Sequence, residues 1–282
     1  MNEYEISLLS VVAINVMLAL SLNVISGFCG QISLGQAAFY GIGAYAAAKL
    51  SLSGMPFVPT LIFATVLSGA FGLVVGVASL RVRNDFLAVT TMGVGFLFLG
   101  VVRKQKWLGG ELGLTNLPST DMSSFGQTIL FVVAALAVAL CCLYLKRSWM
   151  GFGFDAIARD EDAALTIGVN VPGFKLAAFA IGSSIAGLAG VFYAYFSKAV
   201  LPDTFSFVQS VAILTSVVVG GTGSVIGVAV AAMLLTLLPE WFRFVSDYRL
   251  LVFGALLVLV MLLSPGGLAG LFAQFSGGRK LP

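Results

Sequence analysis

The chain has 282 residues, of which 59% are hydrophobic and only 10% charged, and its mean hydropathy is +1.05. Soluble domains carry about 25% charged residues, so this composition excludes one and describes an all-α polytopic membrane protein. The formal net charge of +3 says little, because in such a protein the location of charge matters more than its sum, and nothing in it points to nucleic acid. A membrane barrel is excluded too: its strands would alternate apolar and polar residues, whereas the apolar runs here are continuous.

Several chemistries fall away with particular residues. There is no histidine, hence no histidine catalysis, relay or metal site. Cys29, Cys141 and Cys142 lack metal-ligand spacing and read as small buried apolar residues, so no metal is expected. No G-x-x-x-x-G-K-[ST] loop occurs, so no nucleotide is expected on this chain. The start, Met1 to Glu5, lacks the positive region of a signal peptide, and the apolar stretch after it reads as a first span.

A span needs about 20 mostly apolar residues. In chain order the candidates are 6–26, 32–50, 57–80, 86–102, 125–145, 174–196, 207–219, 225–238 and 250–263. The expectation is about nine (8–10) transmembrane or re-entrant helices in one bundle, a single domain over residues 1–282. The segment 207–219 is short and ends in Gly220-Gly221-Thr222-Gly223-Ser224, which predicts a re-entrant helix, a mobile gate or a tight turn. Small residues recur every four positions at Ser68, Gly72 and Gly76, at Ser183 and Gly187 with Ala186 and Gly190, and at Gly223 and Gly227. Such faces let helices approach closely.

The second candidate segment differs from the rest. Gly27 to Tyr45 carries Gln31, Ser33, Gln36 and Tyr40 among its glycines. Polar side chains and flexible backbone persist at membrane depth only against protein or a water-filled cavity. A translocation path lined by Asn23, Gln31, Ser33, Gln36, Tyr40, Gly220 and Gly221 is one reading. Interhelical hydrogen bonding by ordinary Ser and Gln is the other.

The longest polar passage is Lys146 to Phe179, with four of the chain's twelve acids: Asp155, Asp160, Glu161 and Asp162. A charge at the bilayer centre costs roughly 2.5–3.5 kcal/mol, so Arg159-Asp160-Glu161-Asp162 must face water or a partner. Asp155 is a candidate cap for a short helix. Ile157, Ala163, Ala164 and Ile167 share no clean helical face, so two short helices are as plausible as one. No carboxylate lies mid-span, which argues against a proton-driven carrier and for energy supplied by another polypeptide.

These residues resemble a known family. Asn23–Tyr45, Leu80–Phe96, Ile157–Ala194 and Val217–Gly227 are similar, in order, to the M-type permease of branched-chain amino-acid ABC importers, and the resemblance runs to Pro265-Gly266-Gly267-Leu268. It implies a multi-pass protein of the bacterial plasma (inner) membrane. It implies a second homologous permease, two ATP-binding subunits that hold ATP and Mg, and a periplasmic or extracellular solute-binding protein. The cargo would be a small polar solute, an amino acid that is branched-chain or related. Gln36 stands where the family often has His, and Leu108-Gly109-Gly110 where it often has Thr-Gly-Gly. Urea, amides or other amino acids stay open as cargo.

The resemblance places residues 146–173 as a cytoplasmic coupling loop, with Asp155, Ala156, Arg159, Asp160, Glu161, Ala163, Ala164 and Gly168 facing an ATPase. With that loop inside, the N-terminus lies outside and the C-terminus inside. The basic residues do not decide the matter: Arg81, Arg83, Lys146, Arg147, Arg159, Lys175, Arg279 and Lys280 would be inner, and Lys49, Arg103, Lys104, Lys106, Lys198, Arg243 and Arg249 outer. An ion-driven secondary carrier is the more distant alternative. An intramembrane enzyme is disfavoured by the missing histidine, paired carboxylates and Ser/Lys dyad.

Overall fold

A computed structural model describes residues 3–82, 84–115, 117, 123–241, 249–263 and 266–270. The expectations for Arg83, Pro265, Arg243, Arg279 and Lys280 lie outside the described residues. The helices are α1 (Glu3–Leu22), α2 (Gln36–Leu52), α3 (Phe57–Ser79), α4 (Asn84–Lys104), α5 (Ser124–Arg147), α6 (Trp149–Arg159), α7 (Glu161–Thr166), α8 (Val171–Ser197), α9 (Phe207–Gly220), α10 (Val225–Trp241) and α11 (Arg249–Leu263). A π-helical stretch, Asn23–Phe28, extends α1 to a 26-residue span. Among the described residues, five helices are long and apolar enough to cross a membrane: α1 with its extension, α3, α4, α5 and α8. α9 and α10 are shorter apolar helices. The protein is an all-α polytopic membrane protein.

α1 and α8 form the centre. Within the most apolar window of α1, 78% of residues are buried, against 22% for α4. The small-residue faces bring α3 and α8 together. A Cβ on Gly72 would lie 1.8 Å from Ser183 Oγ, and one on Gly187 2.3 Å from Ser68 Cβ. Ser68 donates to Phe39 O (2.9 Å) and Ser183 O (2.8 Å), tying α2, α3 and α8 at one point. Gly190 lies against the backbone of Tyr40 and Ala44, so α2 is held equally close.

The second candidate span starts later than its composition suggests. The helix begins at Gln36, and residues 29–35 are non-helical. Gln36 lies about 16 Å along α8 from Val171, judged by its contact with Gly182, and Gly35 about 10 Å along α4, judged by Thr91. Backbone groups so deep need partners. Thr91 Oγ1 accepts from Leu34 N (3.0 Å), and Ser210 Oγ of α9 accepts from Ala37 N (3.1 Å). α2 is thus a helix that starts inside the bundle, capped by its neighbours.

Gly220–Ser224 forms a tight turn between α9 and α10, with Gly221 and Gly223 at φ +95° and +82°. The turn is not a free loop. Its backbone reaches the π-helical end of α1 and the last turn of α5. At the opposite end of the bundle, Leu114 and Val200 pair as an isolated bridge, and Arg103 meets Asp203 at 2.6 Å.

Candidate functional site

The polar passage is built as two helices. α5 runs to Arg147 and α8 begins at Val171, so the connection is shorter than 146–173 and mostly helical. Asp155 is mid-helix in α6 and exposed, which corrects its reading as a cap. The cap is Asp160: its Oδ1 accepts from Ala163 N at 3.0 Å, satisfying a free donor at the start of α7. Arg159 ends α6 and is exposed. Ala156 is half-buried on α6, and Ala163 is exposed. Ala164 is the buried residue of α7. Gly168 stops that helix at φ +84°, a conformation only glycine adopts freely.

Glu161 anchors this unit. Lys175 Nζ on α8 donates to both Glu161 carboxylate oxygens at 2.7 Å. The lysine side chain is 9% exposed and the glutamate 32%. Lys175, placed above among the loop cations, is therefore a buried partner. α6 has its own contact: a Cβ on Gly30 would meet Ala158 Cα at 3.0 Å, so α6 packs directly under the non-helical stretch before α2.

A second cluster lies where α1 meets the α9–α10 turn. Asn23 Oδ1 accepts from Gly223 N at 2.9 Å, and Lys146 Nζ at the end of α5 donates to Gly223 O at 2.5 Å. Gly27 is required here: any Cβ would overlap Asn23 Oδ1 and the Gly223 nitrogen. Gly220 packs on the backbone of Val228 and Gly221 on that of Gly266.

Asn23, Gln31, Ser33, Gln36 and Tyr40 all lie in the interior of this chain, none more than 3% exposed. Gln36 Nε2 bridges to Ser21 Oγ (2.7 Å) and Gly182 O (3.4 Å), and Ser33 Oγ accepts from Gly35 N. Tyr40 packs on Tyr193 and Phe205. Three groups stay unmatched: Asn23 Nδ2, Gln36 Oε1 and both amide atoms of Gln31 have no hydrogen-bond partner among the described residues. Buried polar atoms of this kind are rare, and a bound water, a solute or a second conformation is the usual reason. No group of three or more metal-binding side chains occurs among the described residues. Cys29 and Cys142 are buried as expected, but Cys141 is exposed on α5, which corrects that reading.

Sequence reasoning named Lys146 and Lys175 only as loop cations and missed their contacts with Gly223 and Glu161, as it missed the π-helical register of α1. Lys175 left one signal, a lone cation one turn inside an apolar helix. The π-helix left none that periodicity can register.

Comparison with known proteins places the chain among transport permeases. The family model for the branched-chain amino acid transport system permease component matches residues 5–261. The high-affinity branched-chain amino acid transport system permease protein LivM of Salmonella typhimurium is 32% identical, over 94% of this chain and 69% of its own length. LivM of Escherichia coli K12 is also 32% identical, over 90% and 67%. LivH of the same organism is 24% identical, over 90% of each chain. No solved structure matches.

Proposed function

The chain belongs to the branched-chain amino acid transport permease family, and we propose that it is the M-type membrane subunit of an ABC importer for amino acids, branched-chain or related. It forms the path across the bacterial inner membrane with a second, homologous permease. Two ATP-binding subunits, with their own ATP and Mg, drive it from the α6–α7 side, and a binding protein delivers solute to the opposite side. That both LivM and LivH resemble this chain supports a partner built on the same plan.

The observation that carries the reading is the mounting of α7. It is presented at the end of the bundle with Asp162, Ala163 and Leu165 exposed, yet its first residue is fixed to α8 by an ion pair. A helix exposed on one side and rigidly anchored on the other suits a contact that must transmit displacement. The path reading of Asn23, Gln31, Ser33 and Gln36 is part of the same proposal, supported by the unmatched buried atoms of Asn23, Gln31 and Gln36.

The test leaves the anchor alone. Reversing Glu161 would set two ammonium groups together at Lys175 and confound folding with docking. Asp162→Lys with Leu165→Asp changes two surface residues of α7, one of them 51% exposed. The variant is expected to insert and assemble with the second permease, but to recruit the ATP-binding subunits poorly or to hydrolyse ATP without uptake. Normal solute uptake by this variant in reconstituted vesicles would end the coupling assignment.

A further inference from the structure

At the end of the bundle opposite α6–α7, one aromatic ring stands between the rim and the polar interior. Pro202–Phe205 is a short 3₁₀ turn between α8 and α9. Phe205 is 1% exposed and is ringed by Tyr40, Tyr45, Tyr193 and Phe98. The ring centroids lie 5.0, 5.9, 6.0 and 6.3 Å away, and every pair is edge-to-face. Gly41 is needed at the same level: a Cβ would lie 2.4 Å from the Phe98 ring and 3.0 Å from that of Phe205. Tyr40 meets α8 at Gly190, about 12 Å beyond the contact of Gln36 with Gly182. Below the ring, Phe205 shares a cavity of about 10 Å³, the space of one water molecule, with Leu34 and Ser210. Ser210 in turn holds the first turn of α2, which Gln36 begins.

The ring is deeply seated, but the turn that carries it is lightly held. The chain before it is fixed: Leu114 and Val200 exchange two backbone hydrogen bonds, at 3.0 and 2.8 Å, and Tyr45 donates to Val200 O. Among the described residues, the backbone bonds of 201–205 stay within 201–206: Thr204 N donates to Leu201 O and Ser206 N to Asp203 O. Two side-chain contacts tie the turn to its neighbours. Arg103 of α4 meets Asp203 at 2.6 Å, and Tyr193 shares a hydrogen bond with Thr204 at 3.2 Å. The ion pair is open to water, with 49% and 85% of its side chains exposed, so it holds weakly and yields to salt. Leu201 and Ser206, both extended, bound the turn on either side. Such residues can absorb a rotation of the turn as a unit.

We propose that Pro202–Phe205 is the outer gate of the solute path, closed by the Phe205 ring and latched by Arg103 and Asp203. Turning it outward uncovers Leu34 and Ser210 and opens the way to Gln36. The inference rests on the path reading of Gln31, Ser33 and Gln36, and not on ATPase docking at α6–α7.

The reporter is Leu34→Cys, half-buried on the cavity below the ring, in a full-length chain with Cys29, Cys141 and Cys142 replaced by Ala. Intact cells carrying the complete transporter are treated with a small impermeant thiol reagent. Labelling should be slow with Phe205 in place and about tenfold faster or more in Phe205→Ala, since the buried ring is what shuts the site. Asp203→Asn should raise the rate about threefold, the worth of an exposed pair. Phe179→Ala removes a ring that is equally buried but lies near the other end of α8, and should leave the rate unchanged. A second measurement keeps Leu34. Arg103→Cys and Asp203→Cys, joined by a short reducible cross-linker, should stop uptake until reductant is added, whereas a one-armed reagent on the same cysteines should not. Equal labelling with and without the Phe205 ring overturns the gate and leaves the path reading standing. So does equal acceleration by Phe179→Ala, or full uptake through the cross-linked chain. Protection of both Leu34→Cys and Gln31→Cys in every variant and transport state removes the path, and the gate with it.

Discussion

The ion pair of Glu161 and Lys175 is unequal at its two ends, and the inequality can be measured. Lys175 sits in a nearly closed site, while a third of the Glu161 side chain reaches solvent. Glu161→Gln strands an ammonium where water cannot replace the lost oxygen. Its cost should fall somewhat below the range for fully buried pairs, at about 2–3 kcal/mol. Lys175→Met leaves a carboxylate able to turn outward, and puts an apolar chain where the lysine stem was; the loss should be about 1 kcal/mol or less. Adding Lys175→Met to Glu161→Gln should therefore recover stability. Thermal denaturation in detergent ranks the three variants, and an equal loss for both single changes would contradict this account of the site. Asn23 shows a different economy: one amide oxygen holds the α9–α10 turn, while its nitrogen is left without a partner.

Among the elements, the α3–α8 contact was the most legible in the sequence, because close packing leaves a four-residue rhythm of small side chains. Gly72 on Ser183 and Gly187 on Ser68 are contacts that such a rhythm predicts. A graded prediction follows from the geometry. Gly187→Ala must displace Ser68, whose hydroxyl serves Phe39 O and Ser183 O, and should cost about 1–3 kcal/mol. Gly187→Leu should prevent assembly with the partner subunits altogether. Pairing Gly187→Ala with Ser68→Gly opens the space again and should regain part of the loss, less about 0.5–1 kcal/mol for a helical glycine. Size-exclusion profiles of the purified variants give the order, and indifference of Gly187→Leu would mean that the two helices are not in register as described.

Other elements were less legible, for identifiable reasons. Composition cannot show that α2 starts inside the bundle, because the signal is two hydroxyls, Thr91 and Ser210, far away in sequence. Asp155 and Asp160 are equivalent as capping residue types, and only the break after Arg159 selects the second. The π-helical turn Asn23–Phe28 packs against Gly223, again a distant residue. Glycine at Gly27 is the one local trace it leaves.

At the scale of the whole molecule, three links converge on the α6–α7 unit. α7 joins α8 through Glu161 and Lys175, α6 lies under Gly30 at the α1–α2 break, and Lys146 in the last turn of α5, just before α6, holds Gly223 of the α9–α10 turn. The break, the turn and α8 also lie beside the polar residues Asn23, Gln31 and Gln36, so under the proposed coupling a displacement of α6–α7 would reach them through Gly30, Gly223 and Lys175. Such a route has meaning only if the unit faces the ATP-binding subunits, which is a matter of sidedness. With Cys29, Cys141 and Cys142 replaced by Ala or Ser, a cysteine at Asp162 should resist an impermeant thiol reagent added to intact cells and react in inverted vesicles. A cysteine at Glu111, near the Leu114–Val200 bridge at the opposite end, should behave in the reverse way. A cysteine at Gln31 adds the functional half: if its unmatched amide marks a water-accessible path, a small water-soluble reagent should reach it during turnover and more slowly at rest. Labelling of Asp162→Cys from outside would invert the molecule and detach all three links from any ATPase. Full protection of Gln31→Cys in every transport state would leave the links intact, but would assign the buried amides to helix packing alone.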